Sequence, residues 1–208
     1  MTERPILFQG DMVRALLDGS KTQTRRIFKP DRMTWDTNGR YTTHAMRDGE
    51  LTITGSGPFK PNSWLHYCPY GQPGDRLWVR ENFCPIYPQD PAYNGGQPIE
   101  YDYQATYQHG DRLGDLLGIV KKWKPSIHMP RAASRITLEI TAVRIERLQD
   151  ISRGDAMAEG CPFPNMANGD DPRKWYADLW NTINGTGSWD ANPWVWVVEF
   201  KRLKGCAA

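Results

Sequence analysis

At 208 residues the chain suits one generous domain, because two halves would each have little apolar surface to bury. Hydrophobic residues at 39%, charged residues at 24%, nine Trp and nine Tyr exclude the disordered class and supply bulky material for a core or for stacking. A formal charge of +2 excludes the strongly basic class that holds long nucleic acid through many phosphate contacts, and leaves room only for a local basic patch.

Ile6 to Phe8 read as a short strand, and Asp11 as the N-cap of a helix that places Met12, Val13, Leu16 and Leu17 on one face. Gly19 stops that helix. Ser20 to Ile27 then has the Thr content and alternation of a strand, so Lys21 sits where a helix hands over to a sheet. Two stretches rich in Pro, Gly, Asp and Asn follow, at about 30–73 and 85–125, and read as insertions. The first carries a predicted hairpin folded at Asp48-Gly49, and the second is broken by Tyr101-Asp102-Tyr103. Between them Asp75 to Phe83 reads as a strand.

Ser134 to Leu148 is the longest predicted strand. Its apolar phase switches between Ile140 and Val143, which implies a bulge near Ala142 and a curled sheet or barrel. Ser152 and Asp155 form a capping box for a helix ending at Gly160, and Pro172 opens another with the apolar stripe Trp175, Tyr176, Leu179, Trp180 and Ile183. Pro193 to Leu203 closes the domain as a strand that is apolar on both faces, hence central in its sheet.

Cys68, Cys84, Cys161 and Cys206 are irregularly spaced and form no CxxC pair, so they read as reduced thiols. A metal site of His66, Cys68 and Cys84 lacks a fourth ligand and the usual spacing, and no metal or organic cofactor is expected. The start, Met1 to Phe8, has no apolar run of signal-peptide length and no later segment approaches a bilayer span, so the expected place is the cytoplasm, without membrane contact.

The chemistry concentrates around Gly19, Lys21 and Arg26, in the pattern GxKxxxxR. A Lys buried close to Arg25 or Arg26 is disfavoured as an ammonium by desolvation and by like charge, which moves it toward the range of a general base. The alternative is a solvated basic strand. Ser126 to Arg131 adds His128 and Arg131 beside the long strand, where they either rim the same cavity or stay in surface turns. Trp35 and Trp123 either stack on a base or pack in the core.

GxKxxxxR at the end of a first helix resembles the hallmark of the ASCH domain, a branch of the PUA-like superfamily. Gly74-Asp75-Arg76-Leu77-Trp78-Val79, the long strand from Ile136 to Leu148 and the closing strand from Trp194 to Phe200 are similar to that family's elements in the same order, over about half of the chain. The chain also looks like ASCH proteins of phages and prophages of enteric bacteria. The resemblance implies an α+β fold, a PUA-like curled mixed β-barrel flanked by helices, with the two loop-rich insertions outside it.

Within that family Gly19-Ser20-Lys21-Thr22-Gln23-Thr24-Arg25 resembles the motif of the bacterial 4-acetylcytidine amidohydrolases. The resemblance implies Lys21 as proton acceptor, Thr24 as nucleophile and Glu159 as proton donor, acting on an N4-acylated cytidine-type nucleoside without a cofactor. Residues at odd separation on a regular strand face opposite sides, so Lys21 and Thr24 converge only where the backbone turns or bulges between them. Glu159 falls in the last turn of its helix, where the negative end of the dipole favours the protonated carboxyl. Arg26 is the expected oxyanion or substrate partner, Glu81 a reserve acid, and His128 and Arg131 substrate contacts. The rival expectation, from PUA-like domains at large, is an RNA-binding or RNA-cleaving module using the same basic cleft.

Overall fold

The computed structural model describes residues 1–28, 68–90, 92–107, 122–162 and 171–203, and the backbone of 42–47 and 50–55. In chain order the elements are β1 (Glu3–Leu7), α1 (Gly10–Asp18), β2 (Gln23–Ile27), β3 (Thr42–Arg47), β4 (Glu50–Gly55), β5 (Arg76–Arg80), β6 (Phe83–Ile86), β7 (Glu100–Tyr103), β8 (Thr137–Arg147), α2 (Arg153–Ala158), α3 (Pro172–Asn184) and β9 (Trp194–Arg202). The fold is α+β. Its main layer is a mixed five-stranded sheet in the order β1-β5-β8-β9-β2, with β1 parallel to β5 and the other pairs antiparallel. Two small hairpins, β3-β4 and β6-β7, stand apart from it.

The described strands form an open sheet, whereas the sequence resemblance implies a closed barrel. The sheet is nonetheless strongly curled. Four strand spacings of about 4.8 Å would set the edges of a flat sheet about 19 Å apart, beyond the reach of one side chain. Yet Arg26 on edge strand β2 donates from Nη2 to the carbonyl of Leu7 on edge strand β1 at 2.7 Å. The bulge expected near Ala142 is part of the cause: the β8-β9 register shifts between Ile140 and Ala142, and a bulged strand bends and twists more.

Strand β9 explains the two-layer core. Trp196, Val198 and Phe200 join Ile6, Phe8, Val13, Leu16 and Leu138 on one side, while Val195 and Val197 join Leu148, Ala156, Tyr176 and Trp180 on the other. Each fully buried Leu or Val contributes about 1.5–3 kcal/mol, so a strand apolar on both faces is stable only between two covered surfaces. Helix α1 covers the first face and α2 with α3 the second.

Three local expectations are corrected. Asp11 is not the N-cap of α1: Gln9 holds the extended cap backbone, and Asp11 lies in the first turn paired with Arg14. Strand β2 starts at Gln23, because Lys21 pairs outside the ladder with Glu159. Ile183 is 40% exposed and belongs to neither core, so the stripe on α3 ends at Trp180. The β3-β4 pairing runs from Thr42↔Gly55 to Arg47↔Glu50, the register of the expected hairpin. Tyr101 to Tyr103 pair with β6. Most of the stretch at 30–73 and part of that at 85–125, with Trp35, His66 and Cys206, lie outside the described residues. Among the described residues no helix is long and apolar enough to cross a membrane.

Candidate functional site

Lys21 reaches its position through two glycines. Gly19 takes a left-handed backbone (φ 87°) that ends α1, and the chain then turns back so that the Lys21 amide donates to Ala15 O at 2.9 Å. Opposite it, α2 starts at the capping box of Ser152 and Asp155, ends after one and a half turns, and leaves Glu159 as its C-cap. Gly160 follows with φ 95°, and a Cβ there would meet the Ala15 Cβ at 2.9 Å and the Lys21 Cβ at 3.3 Å. Only a residue without a side chain lets the end of α2 come this close to Lys21.

The contact is an ion pair sealed from solvent. Lys21 Nζ donates to Glu159 Oε2 at 2.7 Å and to the Glu159 main-chain carbonyl at 2.8 Å. The Lys21 side chain is 0% exposed and that of Glu159 3%. Burial pushes the Lys21 pKa down and the Glu159 carboxylate pushes it back up; Arg26 and Arg25 add to the lowering, and the net displacement is downward from 10.5. The Phe8 ring lies 5.6 Å from Nζ and supplies the apolar wall.

Arg25 completes the group. Its Nη1 donates to Glu159 Oε1 at 3.1 Å, and its Nε and Nη2 donate to Glu146 Oε1 at 3.0 and 2.5 Å. Asp155 Oδ2 lies 3.6 Å from Nη2, and the Tyr176 ring faces the guanidinium at 5.9 Å. Arg144 ties the carboxylates from outside, donating to Glu146 and Asp155 at 2.9 Å each and to Glu199. Burial first, and then the nearby Glu159 carboxylate, push the Tyr176 phenol well above its usual range.

The expected site residues separate into groups. Lys21 and Glu159 are together. Arg26 is beside them but on the other face of β2, with its guanidinium 5.3 Å from the Phe8 ring and its Nε buried without a hydrogen-bond partner. Thr24 is buried on that same face, opposite Val198, and its hydroxyl bonds neither Lys21 nor Glu159. Glu81 is held elsewhere, in a bidentate pair with Arg135 (2.9 Å twice) whose guanidinium stacks 4.0 Å from the Tyr103 ring. Arg131 is exposed and paired with Glu3 at 3.0 Å, at the opposite end of β1 from Leu7 and Arg26. His128 is exposed in a turn of its own, and Trp123 packs against Tyr107 at 5.9 Å.

No family model, curated protein or solved structure matches this chain.

The chemistry of the site is therefore read from its own geometry. A cleft of about 350 Å³ between α1 and α3 reaches Glu159 and Gly160, with Trp175 and Leu179 on its far wall, and Lys21 lies behind Glu159 as seen from it. Glu159 is thus both a residue of the cleft wall and, through Oε2, the partner of the buried Lys21 amine. Among the described residues no cluster of His, Cys, Asp or Glu suits a metal ion, since the carboxylates of this network are occupied by Arg25, Arg144 and Lys21. Cys68, Cys84 and Cys161 are buried and form no disulfide among the described residues.

Sequence reasoning named Arg25 only as a like-charged neighbour of Lys21, not as a partner of Glu159, and missed Glu146 and Asp155 as members of the site. A signal for Arg25 was present in strand parity: Gln23 and Arg25 share the face of β2 turned to α2, where Gln23 donates to the Asp155 carbonyl at 2.9 Å. Thr24, three residues from Lys21, falls on the other face.

Proposed function

We propose that the protein is an amidohydrolase of the ASCH, PUA-like kind, removing an acyl group from the exocyclic nitrogen of an N4-acylated cytidine-type nucleoside. The observation that carries this reading is the fully enclosed Lys21-Glu159 pair, in which burial lowers the proton affinity of the amine. The strong curl of the five-stranded sheet around α1 agrees with a PUA-like arrangement.

In this reading neutral Lys21 accepts the proton of the attacking hydroxyl by way of Glu159, the member of the pair that lines the cleft, as the hydroxyl oxygen bonds to the acyl carbon. The proton crosses to Glu159 along the 2.7 Å contact and is delivered to the departing ring amine as the C–N bond breaks. The attacking hydroxyl is that of Thr24, through an acyl ester that water then hydrolyses, or of a water molecule directly. The geometry supports the proton-handling pair more directly than the Thr24 nucleophile, because that hydroxyl is on the face away from Glu159.

The test is to mix the purified protein with 4-acetylcytidine and follow the loss of its absorbance beside Lys21→Ala. Loss of a general base lowers kcat by about a hundredfold or more. Equal rates for the two proteins reject the site.

A second reading, RNA binding, draws on a different surface. Trp78 on β5 lies 5.2 Å from the Arg80 guanidinium and 6.0 Å from that of Arg131, an aromatic-cation arrangement suited to unpaired bases. Fluorescence anisotropy with short single-stranded RNA tests it: salt-sensitive binding lost in Trp78→Ala supports it, and no binding at high micromolar protein removes it.

A further inference from the structure

The Glu159 carboxylate is gripped at both oxygens, Oε2 by Lys21 and Oε1 by Arg25. Arg25 is not a mobile surface cation that happens to be near. Its side chain is 0% exposed, Glu146 accepts from two of its nitrogens, Asp155 stands beside it, and the Tyr176 ring covers it. Glu146 and Asp155 are held in turn by Arg144. The guanidinium is therefore a fixed fork, and its remaining prong ends on Glu159.

We propose that Arg25 is a positioning residue of the site: it locks the Glu159 carboxylate in the orientation that faces Lys21 and, as a second cation on that carboxylate, keeps Lys21 from claiming it alone. The catalytic part of this inference rests on the amidohydrolase reading; the electrostatic part does not.

Two consequences follow from removing Arg25, and they have the same sign. A like charge near Lys21 on β2, second to Arg26, disappears, and among the described residues Glu159 is left to Lys21 as its only cation. Both favour the ammonium, so neutral Lys21 appears only at higher pH. The groups that face Lys21 are Glu159 from the end of α2, Arg25 and Arg26 from β2, and the Phe8 ring after β1; Tyr176 on α3 acts through Glu159, Arg25 and Arg26. A residue that merely staples α2 to β2 would alter stability without moving the titration of Lys21.

The experiment follows the side-chain resonance of Lys21 by NMR in full-length protein labelled with ¹⁵N-lysine, assigned by its absence in Lys21→Arg. Wild type is compared with R25Q, and kcat and KM for 4-acetylcytidine are measured across pH in the same proteins. The expected result is a Lys21 midpoint raised by about one pH unit in R25Q, with the acid limb of the rate profile displaced by the same amount. At neutral pH kcat falls by about ten- to a hundredfold, and KM changes less than about twofold. If R25Q does not fold, R25M, which keeps an unbranched side chain without the charge, is read in the same way.

A Lys21 midpoint that is unchanged or lower in the folded variant overturns the proposal, whatever the kinetics. If wild type does not turn over 4-acetylcytidine yet the midpoint rises as stated, the electrostatic role of Arg25 stands and the amidohydrolase reading is the part that fails.

Discussion

Replacing Glu159 by Gln removes the carboxylate that pairs with Lys21 while keeping the size of the side chain. Breaking a buried pair from one side typically costs about 3–5 kcal/mol, because the remaining charge is left without a partner. The lysine has an escape, which is to release its proton. At pH 7, well below its ordinary value of 10.5, that release costs about 5 kcal/mol at about 1.4 kcal/mol per pH unit, and this caps the penalty. At pH 9 the same cap is about 2 kcal/mol. The sign follows from proton counts: with the folded-state pKa below the unfolded one, the unfolded chain binds more protons in between, so stability rises with pH across that window. Urea unfolding at both pH values measures the difference. The expected outcome is a loss of about 3–5 kcal/mol at pH 7 that shrinks to about 2 or less at pH 9, and that is largely restored in the double variant K21M/E159Q. A loss under about 1 kcal/mol at pH 7, or one that does not change with pH, would refute a charged lysine enclosed in the fold.

Gly160→Ala places a Cβ 2.9 Å from that of Ala15 on a left-handed backbone, and should cost about 2–4 kcal/mol by urea unfolding while also separating α2 from Lys21. Asp155→Asn weakens the capping box of α2 and the hold of Arg144, for an expected loss of about 1–2 kcal/mol at neutral pH. Burial pushes the Asp155 carboxyl up but is outweighed by the Ser152 hydroxyl and the further hydrogen bonds and cation around it, leaving it at about 2. Its contribution is thus present above 3.8 and lost as the pH falls through about 2, so the gap between wild type and variant should close over that range in acid titrations monitored by circular dichroism.

The features that were legible in the sequence are those set by neighbours along the chain. A helix stop at Gly19, a capping box from Ser152 to Asp155 and a phase switch within β8 each involve residues close together, and each is found in the structure. The central position of β9 was legible too, because an unbroken apolar run needs cover on both sides. The composition of the site was only half legible. Arg25 and Glu146 are 121 residues apart and meet through the β8-β9-β2 pairings, behind a bulge that reverses which side chains share a face. The same distance problem hid the Arg135 partner of Glu81, which turns a reserve catalytic acid into the buried half of a partly exposed ion pair. The family resemblance suggested Lys21 and Thr24 as companions, and the alternation of side chains along β2, already legible in their odd separation, argues against it.

The strand order also dictates when the site can be born. Among the described residues β2 has one ladder partner, β9, which follows every other described strand in the chain. Until residues 194–202 emerge, the segment that carries Lys21 and Arg25 has no sheet to join, and both cations remain solvated on a nascent chain. The insertion of β9 between β8 and β2 therefore joins the two faces of the core and dehydrates the charged cluster in a single event.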